Sequence, residues 1–436
     1  MTAQVKNVQI PDGWHARRLK FIATCNDESL PETTDPALEI DYVDISSVEL
    51  ELGVKRVDRL PFYEAPSRAR RIARDGDTIV STVRTYLKAI AAIRDPSPNL
   101  VVSTGFAVLR PMQDLDGRFL SYALQASGFV EAVVANSKGV SYPAINPSEL
   151  ICLPILFPHD KGTQGRIADY LDRKTAQIDV LIAKKREMLE KLKEKRLALI
   201  ARAITKGVDA HVPRRDSHVP WLGMIPAHWD IAPLGFLMTM AGGLTPSLAN
   251  SAYWGGETPW VTPKDMKVPR VSDSLDHVSE EALAETSLTL YPAETVLVVV
   301  RGMILAHSFP VAITDVPVTV NQDMKALSCS EKLIPEYLFW YLTGFSKVLS
   351  GMTRESAHGT RKIESDTLKK LSFPVPPLPE QSAVVAHIIG VTKAIDEMTT
   401  KVELVIARLI EYRAALITAV VTGRINVHQR TDPAIV

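Results

Sequence analysis

Two short segments concentrate side chains that can donate to anions. Arg354 to Lys362 (RESAHGTRK) gathers Arg354, His358, Thr360, Arg361 and Lys362 around Gly359, and Lys138 to Tyr142 (KGVSY) sets Lys138, Ser141 and Tyr142 around Gly139. Glycine permits a tight loop, and such donors can hold phosphate oxygens or read base edges. An ordinary solvated loop has a similar composition, but recurrence at matching positions of two halves of the chain argues for a shared role. Arg84 and Arg301 each end an apolar run, TIVSTVR and TVLVVVR. An arginine so placed either faces a ligand or sits in a buried ion pair. Ser103-Thr104 and Asn321-Gln322 occupy corresponding places. Asn and Gln can pair bidentately with adenine while Ser and Thr are less selective, so if these are readers the two halves read different sequences.

Other chemistries lack residues to carry them. There is no GxxxxGK[ST] phosphate loop, no GxGxxG fingerprint and no HExxH pair among the 10 histidines. Asn146-Pro147 is followed by Ser148-Glu149 and reads as a turn, not as an amino-methyltransferase loop. Cys25, Cys152 and Cys329 are too scattered for a disulfide framework or a zinc site. Fifty basic and fifty acidic residues cancel, so any basic footprint must be local. Thr295 to Ala306, the most apolar stretch, is short and holds Arg301, and the first ten residues lack a charged start before an apolar run. A soluble cytoplasmic protein without leader or membrane span is expected.

The elements that must position these groups come in duplicate, at an offset of roughly 217 residues. Pro11, Trp14, Leu19 and Phe21 recur as Pro226, Trp229, Leu234 and Phe236; VVSTGFAVL (Val101 to Leu109) aligns with TVNQDMKAL (Thr319 to Leu327), and Gly139 with Gly359. Helical patterns occur at Phe119 to Val134 and Tyr337 to Leu349, and each copy mixes them with short strands, an α+β pattern. LPILFP and FPVPPLP then stop the globular parts, and a long helix follows each. In the second, Val384, Ile388, Val391, Ile395, Met398, Val402, Val405, Leu409, Tyr412 and Leu416 form a coiled-coil seam. In the first, Ile167, Leu171, Ile178, Leu181, Met188, Leu192 and Leu199 are interrupted by Lys174, Lys185 and Lys195. The two helices are expected to pack on each other, with lysine stems along apolar surface and charges reaching water. Gly207 and Gly423 supply helix stops. The basic run Lys184-Lys185-Arg186 offers phosphate or partner contact, beside the plainer reading of a solvated face.

With this duplication in view, GGLTPSLANSAYWGGETPWVTPKDM (Gly242 to Met266), RGMILAHSFPVAI, NQDMKAL and PPLPEQ in the second copy, and STGFAVLRP and the helix LDRKTAQIDVLIAKKREMLEKLKEKRLALI in the first, resemble the specificity subunits of type I restriction-modification systems over nearly the whole chain. Pro158 to Gln164 (PHDKGTQ) departs from the expected PPLPEQ, which puts the turn into the first helix in question. The resemblance implies an α+β fold: target-recognition domains at 1–160 and 221–377, pseudo-twofold related and separated by antiparallel coiled-coil helices at 161–207 and 378–423. A linker lies at 208–220 and a tail at 424–436. Each domain would read half of an asymmetric, interrupted site in double-stranded DNA, and Lys264 joins the candidate donors. Two modification (methyltransferase) subunits would dock on the helices and nearby domain surfaces, making Ile178, Leu181, Met188, Leu192, Ile395, Met398, Val402 and Leu409 candidate partner contacts. Restriction (translocase and nuclease) subunits would complete the complex. S-adenosylmethionine, ATP and Mg would be bound by those partners, with no cofactor and no catalytic residue here. Beside this stand a two-headed DNA-binding regulator acting alone, an enzyme with unseen motifs, and a coiled-coil scaffold.

Overall fold

The computed structural model describes residues 10–355 and 359–427. Two compact units emerge, one made of residues 1–186 and 403–436, the other of residues 187–402. Both combine sheets with helices, an α+β organisation.

In the first unit, Ala23–Cys25, Phe106–Pro111, Thr78–Ser81 and Ile90–Ala92 form a four-stranded sheet in that order. Strand Phe106–Pro111 starts wholly buried (Phe106 to Leu109), so the sheet can be covered on both faces. A second sheet orders Asp58–Pro61, Glu39–Val43, Leu100–Ser103 and Ala69–Ile72, with Leu100–Ser103 parallel to Glu39–Val43. In the second unit, Met238–Gly242, Met324–Cys329, Val296–Val299 and Val311–Thr314 repeat the first order, extended by Arg270–Val271. Trp254–Val261 and Thr319–Val320 repeat the parallel pair. The two units therefore share a topology where their sequences no longer match.

A two-stranded frame closes each globular part. Trp14–Arg18 pairs antiparallel with Pro154–Pro158, and Asp230–Pro233 with Ser372–Val375; the prolines fit because these ribbons have only two strands and so only edges. The helical stretches each break in two, into Gly117–Gln125 and Ser127–Ala135 in the first copy and Pro335–Gly344 and Ser346–Gly351 in the second. Ala126 turns extended at the first break, and no proline announces it. Within the expected linker, Arg214–Asp216 pairs with Met224–Pro226, and Arg215 donates to the Trp229 carbonyl at 2.7 Å. That stretch is part of the second unit's fold, not a bare connector.

The long helices span Lys161–Lys206 and Leu378–Val421, 46 and 44 residues, which at 1.5 Å per residue is about 65 to 70 Å each. Each begins in one unit and ends in the other. In the first unit Ile178 and Ile182 share a core with Leu416, Ile417, Val420 and Val421. In the second, Ile200, Ala203 and Ile204 share one with Val384 and Ile388. The buried line of the second helix differs from the apolar seam. Met398, Val405 and Tyr412 are exposed, while Thr392 is buried and Ile406 half-buried, and the Arg413 side chain is largely covered. Thr392 can be buried because its hydroxyl bonds the Ile388 carbonyl, and Arg413 because it pairs with Asp179. A purely apolar pattern misses residues that satisfy themselves in this way. Of the interrupting lysines, Lys195 is exposed as expected, but Lys174 is buried with its ammonium 6.0 Å from the Tyr170 ring centre. Among the described residues, no helix is long and apolar enough to cross a membrane.

Candidate nucleic-acid interface

Two positions hold each globular part to helix ends. Gln164, at the entry to the first long helix, is fully buried; its carbonyl accepts from Asp116 N, and its amide donates to Asp114 O and Pro158 O. Gln381, equally buried at the entry to the second, accepts from Ile334 N and donates to Lys332 O and Pro376 O. The departure at Pro158 to Gln164 thus leaves the essential residue in place. At the far ends, Gly207 and Gly423 adopt φ of +69° and +71°. A Cβ on Gly207 would lie 3.2 Å from the Trp229 ring, and one on Gly423 3.2 Å from the Trp14 ring.

On this frame the first copy builds a small exposed cluster. Arg84 and Lys88 flank the 3-10 turn Thr85–Leu87, both left-handed at φ of 49° and 53°. That conformation is uncommon for side chains of this kind. Thr85 and Ser137 hydroxyls bond at 2.8 Å, and Lys138 and Ala144 exchange backbone bonds at 2.8 and 2.9 Å, closing a loop over Lys138 to Ala144. The Arg84 guanidinium lies 4.9 Å from the Tyr142 ring centre. Arg84, Lys138, Ser141 and Tyr142 are all exposed. Thr104 is exposed on a turn whose Gly105 carbonyl accepts from Thr82 N, so it too lies beside this cluster.

The second copy solves the same problem with strands. Arg301–Gly302 pairs with Arg361–Lys362, which pairs with Arg354–Glu355, bringing four cations onto one small sheet. Arg301 and Arg354 are exposed, Thr360, Arg361 and Lys362 half-buried. Arg361 donates to Thr353 Oγ1 at 3.3 Å and Lys362 pairs with Glu364 at 2.7 Å, which holds that carboxyl below its usual range. The carbonyl of Asp323 accepts from Val300 N and Arg301 N, tying the turn that carries Gln322 to this sheet. Exposed Gln322 accepts from Thr245 Oγ1 at 2.7 Å. Exposed Lys264 joins from the next turn, where Asn321 N bonds Val261 O.

Several expectations change. Ser103 is fully buried and Asn321 is 7% exposed, its side chain accepting from Asp323 N, so neither side chain has surface to offer a base. The contrast between the copies rests on Thr104 and Gln322 instead. Arg84 and Arg301 are exposed, which removes the buried ion-pair reading. His358 lies outside the described residues. Among the helix residues, Ile178, Leu192, Ile395 and Val402 are buried within this chain, because an apolar seam closes on the nearest apolar surface. Leu181, Met188 and Leu409 are half-buried, and Met398 is exposed. Tyr86 and Met303, 52% and 70% exposed, belong with the clusters and were missed. Each lies two residues past the repeated arginine, a spacing that was available in the duplication. No group of acidic, His or Cys residues among those described is arranged to hold a metal ion.

Each copy of this duplicated α+β chain thus presents a compact basic cluster at its surface. Residues 226–405 match the type I restriction modification DNA specificity domain. The chain is similar to the EcoR124I/EcoR124II specificity subunit of the type I restriction enzyme of Escherichia coli, 32% identical over 181 residues, covering 41% of this chain and 44% of that one. It is also similar to the MjaIX specificity subunit of Methanocaldococcus jannaschii, 30% identical over 174 residues and 39% of each. The match thus spans less than half of these relatives. In fold, 96% of the chain superposes on all of a chain from a structure describing complex assembly and conformational transition of the type I R-M system, with a TM-score of 0.70 at 20% identity.

Proposed function

We propose that this chain is the DNA specificity subunit of a type I restriction-modification complex, reading a bipartite, asymmetric site and positioning modification and restriction subunits on it. The observation that carries the reading is one frame, buried Gln and Gly against Trp, used twice beneath two different basic clusters. The specificity domain matched in the second copy supports it. The target-recognition domains are 1–160 and 214–377, the second including the strand Arg214–Asp216, and helices 161–207 and 378–423 form an antiparallel coiled coil between them, related by a pseudo-twofold. Asp179 pairs with Arg413 in one unit and Arg196 with Asp396 in the other; each Asp and each Arg has its counterpart at the repeat offset, as that symmetry requires. The chain binds no cofactor and catalyses nothing. S-adenosylmethionine belongs to two modification subunits, ATP and Mg to the restriction subunits, and the complex works in the cytoplasm.

Mapping methylated adenines in the host with and without the gene tests this. One bipartite motif should vanish with the gene, and exchanging residues 14–157 for the matching domain of a relative should alter one half of it only. An unchanged methylation map, or tight and specific binding by the solitary chain, would favour a regulator acting alone.

A further inference from the structure

One surface recurs in the two copies without serving either fold. Phe21 is 61% exposed and Phe236 is 81% exposed, each closing a three-residue 3-10 turn, Leu19–Phe21 and Leu234–Phe236. The neighbours explain the turns but not the rings. Leu19 and Leu234 are fully buried, and Ile22 and Leu237 nearly so, pinning the turn on both sides of the phenylalanine. Leu19 N donates to Leu153 O and Leu234 N to Leu371 O, at 3.0 and 2.9 Å, so both turns hang from the strand that leads into a long helix. The framework thus holds each phenyl group in the same place and turned to water.

The charge around the rings also recurs, from different positions. Beside Phe21 stand exposed Arg17, Arg18 and Lys20, with the Lys20 ammonium 5.0 Å from the ring centre. Arg17, Arg18 and Phe21 line one groove of about 870 Å³ with Cys152, Leu153 and Pro154; Glu149 also lines it but is paired with Lys138 at 2.8 Å. In the second copy the residues matching Arg17 and Arg18 are Ala232 and Pro233, yet exposed Lys369 takes up the place beside the turn, its Cβ 3.0 Å from where a Gly235 Cβ would stand. Exposed Lys370 follows it. Among the described residues, none of these cations has a carboxylate partner.

We propose that Phe21 and Phe236 are twin anchors for two copies of one partner protein, each presenting an apolar socket edged by carboxylates. An isolated exposed aromatic is unremarkable, but the same aromatic in the same turn, with cations beside the turn supplied from unrelated positions, is what two identical docking events require. A buried aromatic with a charged rim is the common form of such an anchor. DNA fits less well. The basic clusters assigned to DNA differ between the copies, whereas this surface is shared, and a phenyl ring enters a stacked duplex only by unstacking a base step at a cost of about a few kcal/mol. The proposal rests on the specificity-subunit reading, under which the partner is the modification subunit.

Purified modification subunit of the same system, titrated onto full-length chain and counted by native mass spectrometry, tests it. Wild type should take up two copies, F21S and F236S one each at the same concentration, and the double variant none, with at least about tenfold weaker affinity at each altered site. R17E with R18E should weaken only the first site and K369E only the second. Two copies bound at unchanged affinity by both phenylalanine variants, melting as wild type does, would overturn the proposal. So would variants that keep both partners but bind DNA more weakly with a shallower salt slope, since the surface would then be a DNA contact. If wild type takes up no modification subunit, the specificity-subunit reading itself fails and this proposal with it, an outcome that no variant is needed to recognise.

Discussion

The two copies differ most where they meet solvent and least where they meet a helix. Gln164 and Gln381 make corresponding hydrogen bonds, and Gly423 and Gly207 close on corresponding tryptophans, in units that share few residues elsewhere. The outer clusters are built differently, from a cation stacked on a tyrosine in one and from three short strands of basic residues in the other. A frame whose polar groups are all satisfied tolerates little change, because each unmade buried hydrogen bond costs about 1–3 kcal/mol. An exposed loop carries no such penalty, so its chemistry is free to diverge.

The comparison breaks hardest at the glutamines. Gln164→Leu and Gln381→Leu should each destabilise by about 3 kcal/mol, since each strands one backbone donor and two carbonyls; similar shifts in urea midpoint are expected. A neutral Gln164→Leu would mean that the first copy does not depend on the frame. On the DNA side, Arg361→Ala should cost about 1–3 kcal/mol of binding at one base position if it reads a base, or lower affinity evenly and reduce the salt slope by about one if it holds phosphate. Arg84→Ala should affect only the other half of the site, and titrations on half-site mutants would show it.

Smaller effects sharpen the contrast. Gly423→Ala should cost about 2 kcal/mol and Gly207→Ala about 1, because both must hold a left-handed φ but the first also drives a Cβ to 2.6 Å from Pro11. Equal melting shifts would argue that the Pro11 contact relaxes freely. Least of all, Asp179→Ala should cost about 1 kcal/mol and exceed Asp396→Ala, since the Arg413 side chain is 11% exposed and Arg196 27%. The reverse order in thermal denaturation would show that burial does not set the strength of these pairs.

Much of the framework was legible because its signals are local or repeated. Helix stops at Gly207 and Gly423 follow from glycine's tolerance of positive φ, the long helices from their apolar period, and the duplication from Trp14, Trp229 and their neighbours. What only the tertiary structure decided is exposure. Ser103 and Thr104 are adjacent and both polar, yet one is sealed between strands and the other faces water. Met398 and Val402 share an apolar line, yet one is exposed and the other buried. Composition and period say which residues can be covered; which ones are depends on strands and helices that approach from hundreds of residues away, and no local pattern encodes that approach.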